Sequence, residues 1–545
     1  MQAPPEHTGS VIYDLAEGSE WRFELDEEEA VAVRVLSPDP VFINSQEIPP
    51  NTWYPLYGDV KGAIWSPLPG GKIEVSSAPS ACYESTSSTL PFLTNLHLAL
   101  ERRRILARRA IRTRRARGKS PHLNGGGEGE GEDEAGPRLM VLGPGNAGKS
   151  TMVKNLVNLA LGSGMGWAPA VVSLDPSNSP HLVPGSLSLS TPTQTAPTHH
   201  PSHFLGSPPT TSAATTLASD VPTLGWYLGT SELGGVGSQK TCFPLWSKIV
   251  RGMQDAWEQR REKDDICRAS GVFIDTPSAM TIPTLGAPKG SAVRYGLVRE
   301  AAEAFDVDVM VVVGNEKLTI EMQKMFTKNG VTVISAPKSG GNQKPTDENL
   351  FLRRTTAAFL AHRAAGANGR DGGKPASTFV YETAAPSSAL PMGSTRVLSA
   401  TRLTKVDPSA PANVHRLQNA VVGLVVVSDD DKLPDAVDGK TKNSSVKQED
   451  AVETSEEPPV KEEPETESKT EDGATEEPKE EEIEDEDEND EPIWKEEIGW
   501  REVCGFLTIT KIDTVKRKYE LLTPSPGRLP SRVAIVGSVE WIEEM

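Results

Sequence analysis

The stretch Gly143-Pro144-Gly145-Asn146-Ala147-Gly148-Lys149-Ser150-Thr151 constrains this chain more than any other. It fits G-x-x-x-x-G-K-[ST], a phosphate-binding P-loop. Glycines let the backbone bend so that its N–H groups face an anion. Lys149 is placed to reach β- and γ-phosphates, and the Ser150 hydroxyl to ligate Mg²⁺. The flanks agree. Residues 137–142 read as a short buried strand, and Met152, Val153, Leu156, Leu159 and Ala160 repeat as a helix does. Strand, turn and helix in that order present a helix N-terminus to phosphate.

Further strands and helices alternate after the loop. Residues 170–174, 271–275, 307–313 and 331–334 read as strands, and 243–261, 318–326 and 347–363 as helices. This alternation implies a parallel sheet with helices on both faces, with ligands at the carboxyl ends of its strands. Two carboxylates fall there, Asp175 and Asp275. Each is open to two readings: a group that holds Mg²⁺ through water or accepts a proton, or a cap on its own turn. Asp175 is the favoured one, because its strand is expected beside the P-loop. Lys338, Lys344, Arg353, Arg354 and Arg363 are candidate cations over a migrating phosphoryl group, or parts of solvated faces. No N-K-x-D loop for reading guanine is present.

Before this domain, residues 11–75 carry short alternating runs separated by Pro, Gly and Asn, the pattern of a β-sandwich. Residues 90–117 then read as a helix with nine arginines between Arg102 and Arg117. Its basic face is either a solvated linker or a contact for RNA or phosphate. After the P-loop domain comes a β-rich segment from about 378 to the C-terminus. The expected domains are therefore 1–89, a β-sandwich; 90–136, a basic helix and flexible linker; 137–370, the P-loop domain; and 371–545, a small β-rich domain.

Composition locates the inserts. The chain has 47 glycines, 44 prolines and 37% hydrophobic residues, a globular core diluted by other material. Its net charge is −20. Between Asp429 and Glu491 lie 28 acidic and 7 basic residues, a net of −21, so the rest is close to neutral. Residues 429–495 are expected to be an acidic disordered insert, and Ser186–Ser219, rich in Ser, Thr and Pro, a second one. His199, His200 and His203 in the latter are compositional bias or a metal site. Val446–Glu449 and Val460–Glu463 fit the apolar-Lys-x-Glu pattern of modifier attachment. Cys82, Cys242, Cys267 and Cys504 form no C-x-x-C pair, which fits a reducing compartment. No apolar run reaches spanning length and the N-terminus lacks a signal peptide pattern, so a soluble intracellular protein with no membrane partner is expected.

The order of β-sandwich, P-loop domain and small β domain resembles the polynucleotide 5′-hydroxyl-kinase family, and within it the Clp-type subunits of the mRNA cleavage and polyadenylation factor. The residues that carry the resemblance are 20–25, 58–64, 143–151, 174–176, 183–185, 274–278, 305–309, 337–341, 507–510 and 522–526. It implies ATP and Mg²⁺ as ligands. It implies that Glu20 and Lys61 contact the adenine, that Gly143, Gly145, Asn146, Ala147, Gly148, Lys149, Ser150 and Thr151 hold the phosphates, and that Ser150 and, through water, Asp175 hold the metal. Lys149 and Asp175 would be the catalytic pair. Kinase-active relatives carry an Asp where this chain has Asn146, a Gly-Gln pair shortly after the strand-end Asp where this chain runs Asp175-Pro176-Ser177-Asn178, and a Trp for stacking on RNA shortly after the 271–276 strand where it has Asp275-Thr276-Pro277-Ser278-Ala279. Arg353 and Arg354 match the paired lid arginines loosely. The resemblance therefore implies a nuclear ATP-binding adaptor of pre-mRNA 3′-end processing. Its partners would be the other cleavage-factor subunits, above all the scaffold that binds the polymerase tail, with RNA as a further ligand. The alternative is an active 5′-hydroxyl kinase.

Overall fold

A computed structural model describes residues 9–26, 29–57, 61–117, 135–177, 179, 182–195, 223–231, 233, 238–284, 292–338, 397–399, 417–431, 496–513, 518–522, 531 and 533–540. The helix expected at 347–363, the lysine motifs at 446–449 and 460–463, and His199, His200 and His203 lie outside these residues.

The N-terminal strands are β1 (Val11–Leu15), β2 (Glu20–Glu24), β3 (Ala30–Val35), β4 (Phe42–Ile43), β5 (Gln46–Glu47), β6 (Tyr54–Tyr57), β7 (Lys61–Trp65), β8 (Gly71–Val75) and β9 (Ala81–Ser85). They form two sheets, β1-β8-β3-β6 and β5-β4-β7-β2-β9, the expected sandwich. Trp21, Phe23, Val33, Ile43, Leu56, Ile64 and Ile73 fill the space between them. These residues alternate with outward-facing neighbours, as a pleated strand requires. Asn44 and Ser45 join β4 to β5 with φ values of 47° and 61°. A two-residue loop with both central residues left-handed matches strand twist, and Asn and Ser tolerate it at modest cost.

Helix α1 (Leu90–Ala116) follows, and it is no free linker. Leu93, Leu96 and Leu100 pack into one core with Leu139, Val141, Val153 and Phe273 of the next domain. The order after it is β10 (Arg138–Leu142), α2 (Lys149–Gly162), β11 (Ala170–Ser173), β12 (Ser186–Ser190), β13 (Thr223–Tyr227), α3 (Ser238–Lys263), α4 (Asp265–Ser270), β14 (Val272–Asp275), α5 (Gly296–Ala304), β15 (Val309–Val313), α6 (Glu316–Phe326) and β16 (Thr332–Ala336). Strands β16-β15-β10-β14-β11 are parallel neighbours. One face, with Leu139, Val141, Val309 and Val311, meets α1 and α2. The other, with Met140, Leu142, Met310 and Val312, meets α3, α5 and α6. Burial on both faces explains why β10 from Leu139 onward and all of β15 are apolar.

The sheet then turns antiparallel through β12 and β13. Here the expected insert at Ser186–Ser219 is corrected: Ser186–Ser190 is a fully buried strand, and residues 196–222 lie outside the described ones. Leu187 and Leu189 face α3, which makes Ser-Leu-Ser-Leu-Ser a period-two strand despite its composition. Strand β13 pairs with β19 (Glu502–Asp513), and the sheet continues through β18 (Ala420–Val425), β21 (Val533–Glu540) and β17 (Val397–Ser399), with β20 (Lys518–Leu522) beside β19. The C-terminal strands thus share hydrogen bonds with the P-loop sheet in one twelve-stranded array.

Candidate functional site

The parallel strands end at the P-loop. Gly143 leaves β10 so close to β15 that an added Cβ would lie 3.0 Å from the Val313 carbonyl oxygen. Asn146 (φ 54°) and Gly148 (φ 90°) turn the backbone left-handed, a conformation that glycine and asparagine adopt most readily. Gly145 and Asn146 are exposed and Ala147 is buried against the core, so the loop is an open cradle with an anchored base. Lys149 is buried at 7% exposure and its Nζ donates to the Pro144 carbonyl oxygen at 3.0 Å, inside the loop. Thr151 lies exposed in the first turn of α2.

Strand β14 brings Asp275 to this cradle. It shares a face with Phe273, the face that α2 covers, so its carboxyl points toward Ser150. Thr276 donates its hydroxyl to the Val141 carbonyl oxygen at 2.6 Å and ties the end of β14 to β10. Asp275 is 4% exposed and its Oδ1 has no hydrogen-bond partner. Burial pushes its carboxyl up to about 6, the nearby Asp175 charge pushes the same way, and the Ser150 hydrogen bond and Lys149 pull against them. A buried carboxylate oxygen without a partner, beside a hydroxyl and a second carboxylate, suits a hard cation.

Asp175, the favoured carboxylate of the sequence, stands differently. Ser173 is paired with Asp275, so Asp175 lies just beyond the end of the adjacent strand. It is half-buried, and its Oδ1 accepts from the Ser177 amide at 3.0 Å and the Ser177 hydroxyl at 2.6 Å. Its capping role is realised, and Asp275 is the carboxylate against the P-loop hydroxyl. Among the five candidate cations, Lys338 packs over Gly314 at the end of β15 with its side chain exposed; Lys344, Arg353, Arg354 and Arg363 lie outside the described residues.

Glu20 and Lys61 share the outer face of β2 and β7, opposite the sandwich core. Glu20 pairs with Trp65 and Glu24 with Lys61, so the two residues stand about 14 Å apart along the strands. Glu20 is buried; it accepts from Arg22 Nε at 2.9 Å and from the Ser88 hydroxyl. Lys61 pairs with Glu24 at 2.6 Å. The N-terminal domain meets the P-loop helix elsewhere. Ser45 donates to Asn155 Oδ1 at 2.6 Å, and Asn158 Nδ2 donates to the Asn44 carbonyl oxygen at 2.9 Å. Asn155 also donates to the Thr151 carbonyl oxygen at 2.8 Å. The hairpin tip therefore rests one turn from the phosphate cradle. The signal was two polar residues three apart on the face of α2 otherwise expected to be core, and sequence reading passed over it.

Arginines of α1 serve the same assembly. Arg103 holds Asp308 through two bonds of 2.9 and 2.6 Å. Arg104 is fully buried, donates to the Ser270 carbonyl oxygen at 3.0 Å, pairs with Glu101 at 3.2 Å and lies over Phe273. Burial pulls its pKa down to about 10. Arg108 covers Trp167 and Arg115 pairs with Asp265 at 2.8 Å. Neither expected reading of the basic helix covers these four, which fasten α1 to the P-loop domain. No metal-binding cluster of three His, Cys, Asp or Glu occurs among the described residues, and no described helix is long and apolar enough to cross a membrane.

Three family models match: "mRNA cleavage and polyadenylation factor CLP1 P-loop" over residues 143–357, "N-terminal beta-sandwich domain of polyadenylation factor" over 14–107, and "Pre-mRNA cleavage complex II protein Clp1" over 482–543. An mRNA cleavage and polyadenylation factor CLP1 of Cryptococcus neoformans var. neoformans is 45% identical, with 97% of each chain covered. The Laccaria bicolor protein of the same name is 29% identical over 98% of each chain, and an Arabidopsis thaliana CLP1 homolog 24% identical over 97% of this chain and 94% of its own. Two solved structures share the fold at 17% and 18% identity, with TM-scores of 0.64 and 0.63, each covering 98% of this chain and 99% of its own. One is a complex of wild-type Clp1p with Pcf11p; the other describes an extended Pcf11p–Clp1p interface and ATP loss in a glycine-to-arginine point mutant.

Proposed function

The chain belongs to the CLP1 family of mRNA cleavage and polyadenylation factors, and from that premise we propose that it is the ATP-binding adaptor subunit of the nuclear pre-mRNA 3′-end cleavage complex, with ATP as a structural ligand. One observation carries the reading: the hairpin tip Asn44–Ser45 is hydrogen-bonded to the P-loop helix at Asn155 and Asn158, so the phosphate cradle lies at the joint between two domains. A ligand held there fastens both. At a thousandfold its dissociation constant it would add about 4 kcal/mol of stability, enough to keep the loop without turnover.

The residues fit this ligand. The amides of Gly145–Ser150 would line the cradle, and Lys149 would exchange the Pro144 carbonyl for a phosphate oxygen. Ser150 and Asp275 would hold Mg²⁺, with Asp175 reaching it through water. Glu20 and Lys61, on one outer face of the N-terminal sheet, are assigned to the base. Bound Mg²⁺ and ATP supply charge that offsets the two neighbouring carboxylates and the open amides. The partner we infer is the cleavage-factor scaffold, a protein of the kind named Pcf11p in the structural relatives.

Nucleotide co-purifying with the protein decides between adaptor and kinase, together with labelled-phosphate transfer from ATP to 5′-hydroxyl RNA. The expected result is intact ATP retained over hours and no transfer that depends on Lys149, with Lys149→Ala emptied of nucleotide. ADP released quickly in the presence of RNA, or lysine-dependent labelling of the RNA, would identify a polynucleotide 5′-hydroxyl kinase instead.

A further inference from the structure

Four α1 arginines hold the helix down, and three others face solvent. Arg102, Arg109 and Arg112 are exposed, and among the described residues their guanidinium groups make no ion pair or hydrogen bond. At 3.6 residues per turn they fall on one face, and Leu98, Ile105 and Leu106 fall on the same face. These three are 59%, 44% and 47% exposed. This helix face thus carries cations and aliphatic side chains side by side.

The two natural occupants are RNA and an acidic polypeptide, and the aliphatic residues discriminate. RNA gains from cations and from aromatic platforms for its bases, and this face has no aromatic residue. An acidic peptide with apolar side chains would use both halves of the surface. This chain contains one. Residues 476–494 hold twelve acidic residues and one lysine, together with Ile483, Ile493 and Trp494. Glu496–Trp500 follow this segment, and Trp500 lies under Lys248 of α3. Helix α4 packs against both α3 and α1. Nineteen extended residues reach up to about 60 Å, longer than the roughly 40 Å of a 27-residue helix such as α1. Tethering also raises the local concentration of the segment to about the millimolar range, at which weak charge pairs suffice.

We propose that the solvent face of α1, centred on Arg102, Ile105, Leu106, Arg109 and Arg112, is the docking site for this chain's own acidic segment 476–494. The pairing would offset the positive charge of that face.

Cleavage of the full chain within 476–494 by a glutamate-specific protease tests this, with the free peptide of the same sequence as reference rate. At low salt the segment in the wild-type protein is expected to be cut about tenfold more slowly than the peptide. Arg102→Glu/Arg109→Glu/Arg112→Glu should abolish that protection, and so should about 0.5 M salt on the unaltered protein. Leu98→Ser/Ile105→Ser/Leu106→Ser should weaken it without changing charge. Wild-type cleavage as fast as the peptide overturns the proposal. So does single-stranded RNA binding to the wild-type face, lost with the three arginines, while the cleavage rate stays unchanged.

Discussion

Asp175 and Asp275 end adjacent parallel strands about 4.8 Å apart, and the fold uses them in opposite ways. Asp175 lies just past its strand, half in solvent, and accepts two hydrogen bonds from Ser177. Asp275 is the last residue of its strand, in register with Ser173, under α2, with one oxygen unpartnered. A displacement of two residues along the chain separates a turn cap from a dry carboxylate facing the P-loop hydroxyl. Position relative to α2, rather than residue type, sets the chemistry.

The largest expected effect separates the two in ligand binding. Asp275→Asn should weaken Mg²⁺-dependent ATP binding by roughly 100-fold, whereas Asp175→Asn should change it by less than about tenfold. Isothermal titration with and without EDTA reads both, and equal losses would erase the distinction.

The next effect is on stability without ligand. The Asp275 carboxyl is raised from 3.8 to about 6 in the folded chain. Between those values the folded state keeps a proton that the unfolded chain has released. Stability from this group is therefore greatest below pH 4, falls as pH rises to about 6, and is level above that. In EDTA and without nucleotide, Asp275→Asn should remove this slope and leave the protein about 3 kcal/mol more stable than wild type at pH 7.5. Mg²⁺ and ATP should reverse the order. Urea unfolding across pH measures it; a variant less stable than wild type in EDTA would sink the idea of an uncompensated buried carboxylate.

Smaller changes belong to the neighbours. Ser45→Ala removes the hairpin bond to Asn155 and should cost about 1 kcal/mol. It should also speed ATP dissociation several-fold, if the joint is what retains it. Asp175→Ala removes the turn bonds to Ser177 and should cost about 0.5–1 kcal/mol, with no change in the pH slope. A slope altered by Asp175→Ala alone would show that the two carboxylates titrate together.

Much of this was legible in the residues, for a physical reason in each case. The P-loop requires its glycines and lysine in a fixed local order, so Gly143–Thr151 could be read without any partner. Strands buried on both faces are apolar along their buried length, which exposed β10 from Leu139 onward and β15. Ser186–Ser190 was missed because serine-rich composition hid an alternation that the buried leucines make plain. The α1 arginines were read as one class, although Arg104 is buried over the Phe273 ring and Arg109 is exposed; a helix wheel shows faces but not what covers them.

By itself the sequence determined a phosphate cradle, a parallel sheet around it, a sandwich ahead of it and a strongly acidic run, since each depends on neighbours within a few residues. Only the tertiary structure decided that Asp275 rather than Asp175 faces Ser150, that the Asn44–Ser45 tip grips α2, and that the C-terminal strands extend the P-loop sheet. Those depend on contacts between residues more than a hundred positions apart, where burial and the loss of water set a carboxylate's role.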